Sequence, residues 1–289
     1  MNDLKPTFYL KDLLDVDPLE NDVFLGHRLS LSTGRVFGGQ VLAQALMAAS
    51  KTVDSTKQVH SCHNYFIRPG NSDLPIHYHV YRDLDGRKFS NRRVVALQND
   101  KPVFSLTASF QAQTDGYAHQ IEMPDMPSPE ELLNENQIAD LNQDVLSADI
   151  YKMLNRYRPI DLRPMGGEAH FIRSEKKMTQ ANWFRAKEPL PDNQALHRGV
   201  LAYSTDLTLL STSGRPHDVL WMDEHVVTAS IDHSLWIHSD NINVNEWLLY
   251  VMDTPWTGNS RGLNRGSIFT QSGELIASVA QEGLIRITE

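Results

Sequence analysis

Three polar residues stand where apolar ones are expected. Asp206 lies in GVLAYSTDLTLL, late in a helical pattern whose neighbours are apolar, and Gln281 takes an apolar slot in ELIASVAQEG on the face shared by Leu275, Ala277 and Val279. Ser230 lies in HVVTASIDHSLWIHSDN, where alternation puts Ser230, Asp232 and Ser234 on one face and His233 on the other. A carboxylate, a hydroxyl and an amide can between them accept a proton and both donate and accept hydrogen bonds. A buried carboxylate is unfavourable unless it is hydrogen-bonded or has a task. Each residue taken singly reads as a satisfied polar group of the core; their distribution over the chain is what singles them out.

The chain repeats itself. HNYFIRPG from His63 lies over HSLWIHSD from His233, Ser90 falls on Ser260 at the same offset, and VLA occurs at both 41–43 and 200–202. Further on, NDKPVFSLTAS lies over QSGELIASVAQ with two extra residues. The shared order indicates two fused copies of one domain, since the period is too long for a solenoid. Each copy reads as a helix followed by strands that end in a hairpin. The helix of the first, GGQVLAQALMAASK, starts at a Gly pair and keeps Val41, Ala45 and Ala48 at helical spacing; that of the second starts at DNQALH with Asp192 as its N-cap. The hairpins turn at residues 99–101 and at Ser272 and Gly273. Between the copies Pro124, Pro127 and Pro129 keep the chain extended until SPEELL starts a helix. The boundaries that result are an amino-terminal domain over 1–113, a linker with helices over 114–157 and a carboxy-terminal domain over 158–289. The architecture is α+β, each copy a long helix wrapped by an antiparallel sheet. At the offsets of the repeat, Met47, His60 and Ser109 fall opposite Asp206, Ser230 and Gln281, so the polar trio belongs to one copy alone.

Two motifs compete for attention. GNSRG at 258–262 matches the nucleophile elbow of α/β-hydrolases, but it opens a hairpin strand instead of joining a strand to a helix, so Ser260 is a weak nucleophile candidate. His77 and His79 share a strand face without the spacing of a zinc motif. No phosphate loop or dinucleotide fingerprint occurs, and neither metal nor cofactor is expected.

Composition sets outer bounds. The 289 residues are 40% hydrophobic and 22% charged, ordinary values for a globular chain, with a formal net charge of −9. That charge disfavours nucleic-acid and membrane-surface partners, which require a basic face. A single cysteine, Cys62, allows no internal disulfide and fits a reducing compartment. The start MNDLKPTFYL lacks an apolar signal core, no apolar run spans a membrane, and the end IRITE is not a Ser-Lys-Leu address. A cytoplasmic protein is the expectation.

With RVFGGQVLAQAL, VHSCHNYFIRPG, YSTDLTLL, ASIDHSLWIH, NEWLLY and ASVAQEGLIR in this order, the sequence resembles the acyl-CoA thioesterase II family from about Leu25 to Arg286. The resemblance implies a double hotdog and a catalytic Asp–Thr/Ser–Gln set, which falls on Asp206, Ser230 and Gln281. It implies hydrolysis of fatty acyl-CoA by an activated water. Asp206 would take the proton, Ser230 and Gln281 would hold the water, and Gln281 or backbone N–H groups would stabilise the oxyanion. Arg68, Arg92, Arg93, Arg261 and Arg265 are the candidates for the coenzyme A phosphates. Hotdog proteins pair their sheets, so a homodimer or homotetramer is expected. Two other readings stay open: a hotdog hydratase or dehydratase using Asp232 and His233, and an acyl-CoA-binding module without turnover.

Overall fold

The computed structural model describes residues 8–29, 34–167, 171–172, 175–221 and 223–288. The first seven residues of the polar start lie outside these. Helix α1 (Leu10–Leu14) and strands β1 (Val16–Pro18) and β2 (Val23–Gly26) precede the long helix α2 (Gly38–Ser50), and β3 (Lys57–Phe66), β4 (Ile76–Asp85), β5 (Phe89–Gln98) and β6 (Lys101–Ala112) follow it. After the short helices α3 (Glu135–Leu141) and α4 (Ala148–Leu154) the order recurs. Strands β7 (Ile160–Pro164) and β8 (Thr179–Ala186) lead to α5 (Gln194–Thr205), and β9 (Val226–Ser230), β10 (Asp232–Ile237), β11 (Leu248–Gly258), β12 (Arg261–Thr270) and β13 (Leu275–Ile287) complete the copy.

All the described strands belong to one antiparallel sheet, ordered β1-β2-β4-β5-β6-β3-β10-β13-β12-β11-β8-β7, with β9 also paired to β13. Outward from the β3–β10 seam the sequence of strands is the same in both directions. The repeat is therefore visible in the topology, and each copy has two strands ahead of its helix that the pattern reading missed. Three of those four strands have five residues or fewer, and Pro18 and Pro164 end two of them, so alternation has little length in which to show.

The sheet curls around α2 and α5, which pack on each other. Every residue from Gly39 to Ala49 is buried, because α2 has the sheet on one side and α5 on the other. The N-cap of α5 is Asn193 and not Asp192: its side-chain oxygen accepts the N–H of Leu196 at 3.2 Å. SPEELL makes only a single 3₁₀ turn over Pro129–Glu131. The α-helix begins at Glu135, behind Asn134, whose side chain exchanges hydrogen bonds with Gln137 in a capping box. The segment before it lies along the second copy as a strap. Gln120 bonds Gly273 and Leu275, Pro127 accepts the indole N–H of Trp183, and Met123, Met126 and Leu132 cover the cluster of Trp183, Trp247, Leu249 and Phe269.

Candidate active site

Asp206 is the residue on which α5 ends, at φ −90 and ψ −3. The two central helices run against each other, so this end meets the first turn of α2 from the other copy. Contact there is close enough to require glycine. A Cβ on Gly39 would stand 2.6 Å from the Tyr203 carbonyl oxygen, and one on Gly38 would stand 2.6 Å from Asp206 Oδ2 and 3.0 Å from the Phe66 ring. Gly38→Ala is accordingly expected to displace the carboxylate and lower kcat at least tenfold, since an ångström of misplacement carries a cost of that order. The fold should survive with an unchanged circular dichroism spectrum, because φ at this position suits any residue. Parent-like turnover in that variant would contradict the contact.

Ser230 reaches the same place through an irregularity in its strand. Ser230 pairs with Gly283 and Ser234 with Ala280, so four steps along β9 and β10 face three along β13. The extra residue is a β-bulge, which re-aims side chains locally. Strict alternation would separate Ser230 from His233; the bulge turns both toward Gln281. Asp232 instead accepts the backbone N–H of Glu282 at 2.7 Å.

The trio converges. Gln281 Nε2 lies 2.7 Å from Asp206 Oδ1 and 3.1 Å from Ser230 Oγ, and the Ser230 hydroxyl donates to Asp206 Oδ1 at 3.3 Å. Gln281 Nε2 also stands 3.1 Å from His233 Nδ1, and His233 Nε2 stands 3.0 Å from Thr205 Oγ1. Burial pushes the Asp206 carboxyl up from 3.8 to about 6, against the opposing hydrogen bonds from Gln281, Ser230 and the Gly39 N–H. A carboxyl there is ionised at neutral pH and still basic enough to take a proton. Burial drives His233 the other way, to about 3, so its imidazole is neutral.

Asp206 and Ser230 border a cavity of about 1080 Å³, walled by Phe37, Phe66, Leu207 and Val227. Gln281 and His233 are fully buried behind them. The 114–157 segment also reaches the cavity, where Glu135 and Arg158 form an ion pair beside Tyr157.

Among the described residues the first copy carries no such cluster, although its true counterparts differ from those the repeat offsets suggested. Arg92 pairs with Ala108 as Asn264 pairs with Gln281, and each pair lies four residues before a matching irregularity, after Ala96 and after Ile268. Ala108 therefore stands where Gln281 does. Val59, next to the bulge of β3 and paired with Phe110, stands where Ser230 does. His60 and Ser109 bond each other at 2.8 Å on the other face of the sheet, and Met47 packs near Gly199. Arg198 occupies the space by Val59, donating to the carbonyls of Val59, Ser239 and Asp240.

The sequence comparisons agree with this geometry. A family model described as acyl-CoA thioesterase matches residues 163–284, and one described as acyl-CoA thioesterase N-terminal domain matches 28–111. Human acyl-coenzyme A thioesterase 8 is 38% identical over 283 residues, which cover 95% of this chain and 88% of that protein. Acyl-CoA thioesterase 2 of Haemophilus influenzae is 34% identical and covers 96% of each chain. The chain belongs to the acyl-CoA thioesterase II family. An acyl-CoA thioesterase II, TesB2, from Mycobacterium marinum superposes with a TM-score of 0.80 at 37% identity, over 97% of this chain and 99% of that one. The fold is the double hotdog, and the protein is an enzyme that hydrolyses acyl-CoA thioesters.

In this thioesterase the five candidate arginines separate. Arg68 lines the cavity and is exposed, with one N–H on the Pro102 carbonyl. Arg92 is not a rim residue: it is fully buried, bonding Thr52, Asp85 and the carbonyls of Leu84 and Asn91. Arg93 and Arg265 are exposed and Arg261 is half-buried, but each pairs with a carboxylate on its own sheet face (Asp83, Asp253 and Glu282, respectively), away from the cavity lining. Ser260 lies with Asn259 in the positive-φ turn joining β11 to β12, at 59° and 50°, a hairpin turn with no helix behind it. That removes the nucleophile-elbow reading. The sequence reading missed Gly38 and Gly39 as parts of the site, although the Gly pair opening α2 was in view.

Proposed function

We propose that Asp206 is the general base that activates water for direct attack on the thioester carbonyl. The reading rests on one observation: the donors of Ser230 and Gln281 converge on a buried carboxylate at the wall of an apolar cavity. The water oxygen bonds to the carbonyl carbon as its proton passes to Asp206, and the tetrahedral intermediate then releases the thiolate, which recovers that proton. Ser230 faces the water. Gln281 has two amide hydrogens, and Asp206 and His233 are natural acceptors for both, so it holds the base. The oxyanion then falls to the N-terminal turn of α2, where the helix dipole favours negative charge. Fatty acyl chains fit the apolar walls. Of the proposed arginines, Arg68 is the one placed to meet a coenzyme phosphate. The cytoplasmic location and the homodimer or homotetramer inferred from the sequence belong to the same proposal; sedimentation of the purified enzyme measures the second.

Ser230→Ala separates direct hydrolysis from covalent catalysis. Thiol release should fall roughly ten- to hundredfold, the loss of one positioning hydrogen bond. Intact-mass spectra of the parent enzyme during turnover should show no acyl adduct. A loss beyond about 10⁴-fold together with an adduct on Ser230 would make that hydroxyl a nucleophile instead.

A further inference from the structure

The hydrogen bonds behind the carboxylate have a direction. The single hydrogen of the Thr205 hydroxyl goes to the Ala202 carbonyl, 2.8 Å away. Thr205 Oγ1 therefore offers only a lone pair to His233 Nε2 at 3.0 Å, which makes Nε2 the protonated ring nitrogen. His233 Nδ1 is left as an acceptor and faces Gln281 Nε2 at 3.1 Å. The same amide nitrogen faces Asp206 Oδ1 at 2.7 Å. Rotating the amide by half a turn would set its carbonyl oxygen against a carboxylate oxygen and an imidazole lone pair at once, two repulsive contacts in a region closed to water.

We propose that His233, held by Thr205, is a positioning residue that locks the Gln281 amide with its N–H groups toward Asp206, and so keeps the base ionised and aimed at the cavity. The proposal rests on the reading of Asp206 as the base. His233, Thr205 and Gln281 are all fully buried, so water offers none of them a substitute partner. Position in the repeat strengthens the case. Counting from each bulge, the inward place that His233 occupies in β10 belongs to Cys62 in β3, in the copy where Val59 and Ala108 replace Ser230 and Gln281. The imidazole accompanies the polar trio and is missing where the trio is missing.

Two substitutions at His233 divide packing from hydrogen bonding. His233→Phe keeps a planar ring but offers no acceptor. His233→Asn leaves a smaller side chain whose oxygen can face Gln281 Nε2. His233→Phe should lower kcat for acyl-CoA about a hundredfold with KM changed less than twofold, the pattern of a lost transition-state contact. His233→Asn should stay within about tenfold of the parent kcat despite lower thermal stability, because the acceptor is restored. In a Gln281→Leu background His233→Phe should lower kcat no further. Thr205→Val, which keeps the shape but removes the lone pair, covers the case in which a His233 variant fails to fold; it should lower kcat, while Thr205→Ser restores it. Parent-like kcat in folded His233→Phe, or a Phe variant as active as the Asn one, would overturn the proposal. An Asp206→Asn enzyme with full turnover would overturn the underlying assignment of the base, a result that can be told apart from the others.

Discussion

Asp206→Asn should leave a folded protein whose kcat is lower by about 10²–10⁴, the loss of a general base. The same variant should be the more stable protein at neutral pH. The folded carboxyl titrates at about 6 and the ordinary value is 3.8. Between those values the native state keeps a proton that the unfolded chain has lost. The stability this contributes is fully present below pH 3.8 and is gone once the pH has risen through about 6. Above that the native state carries an ionised carboxylate in a buried place, at a cost of about 3 kcal/mol for a shift of roughly two units. Asn does not titrate. The stability of the variant minus that of the parent should therefore grow by about 2.5 kcal/mol from pH 4 to pH 8. Denaturant unfolding of both proteins across that range measures it, and thiol release measures the activity. The parent's kcat/KM should rise with pH through a midpoint near 6, as the base loses its proton. A flat difference in stability would mean that Asp206 is not the strained group described.

Gln281→Leu should produce the second largest loss, with a different signature. Leucine fills the space but leaves Asp206 Oδ1 without its 2.7 Å donor and His233 Nδ1 without its partner. Stranding buried acceptors costs about 1–3 kcal/mol each, so the variant should be less stable than the parent, opposite in sign to Asp206→Asn. The amide is also the strongest hydrogen bond opposing the upward shift of Asp206. Without it the carboxyl titrates still higher, and the ascending limb of the pH–rate profile should move to higher pH. At pH 7 the combined effect on kcat/KM is about 10²–10³, part of which returns as the pH is raised. An unmoved midpoint would show that Gln281 does not tune the base.

Much of this enzyme is legible along the chain. The paired blocks revealed two copies of one domain, and the sheet reads identically outward from its central seam. Asp206, Ser230 and Gln281 stood out as polar residues in apolar patterns, and the structure brings them within hydrogen-bonding distance of one another. Arg92 was misread for an identifiable reason. One face of β5 carries Ser90, Arg92, Val94 and Ala96 and the other Phe89, Asn91, Arg93 and Val95, so alternation does not say which face is inside. Only the packing of α2 does, because the turn that follows it places Thr52 against the guanidinium.

The pattern of side chains along the polypeptide determined the copies, their central helices and the residues fit for hydrolysis, because burial periodicity is a local property. Tertiary structure alone decided the bulge that brings Ser230 and His233 to one side, the glycines of one copy against the carboxylate of the other, and the blocked space beside Val59. Each of these depends on what a second strand or helix places opposite, and a partner distant along the chain leaves no mark on local spacing.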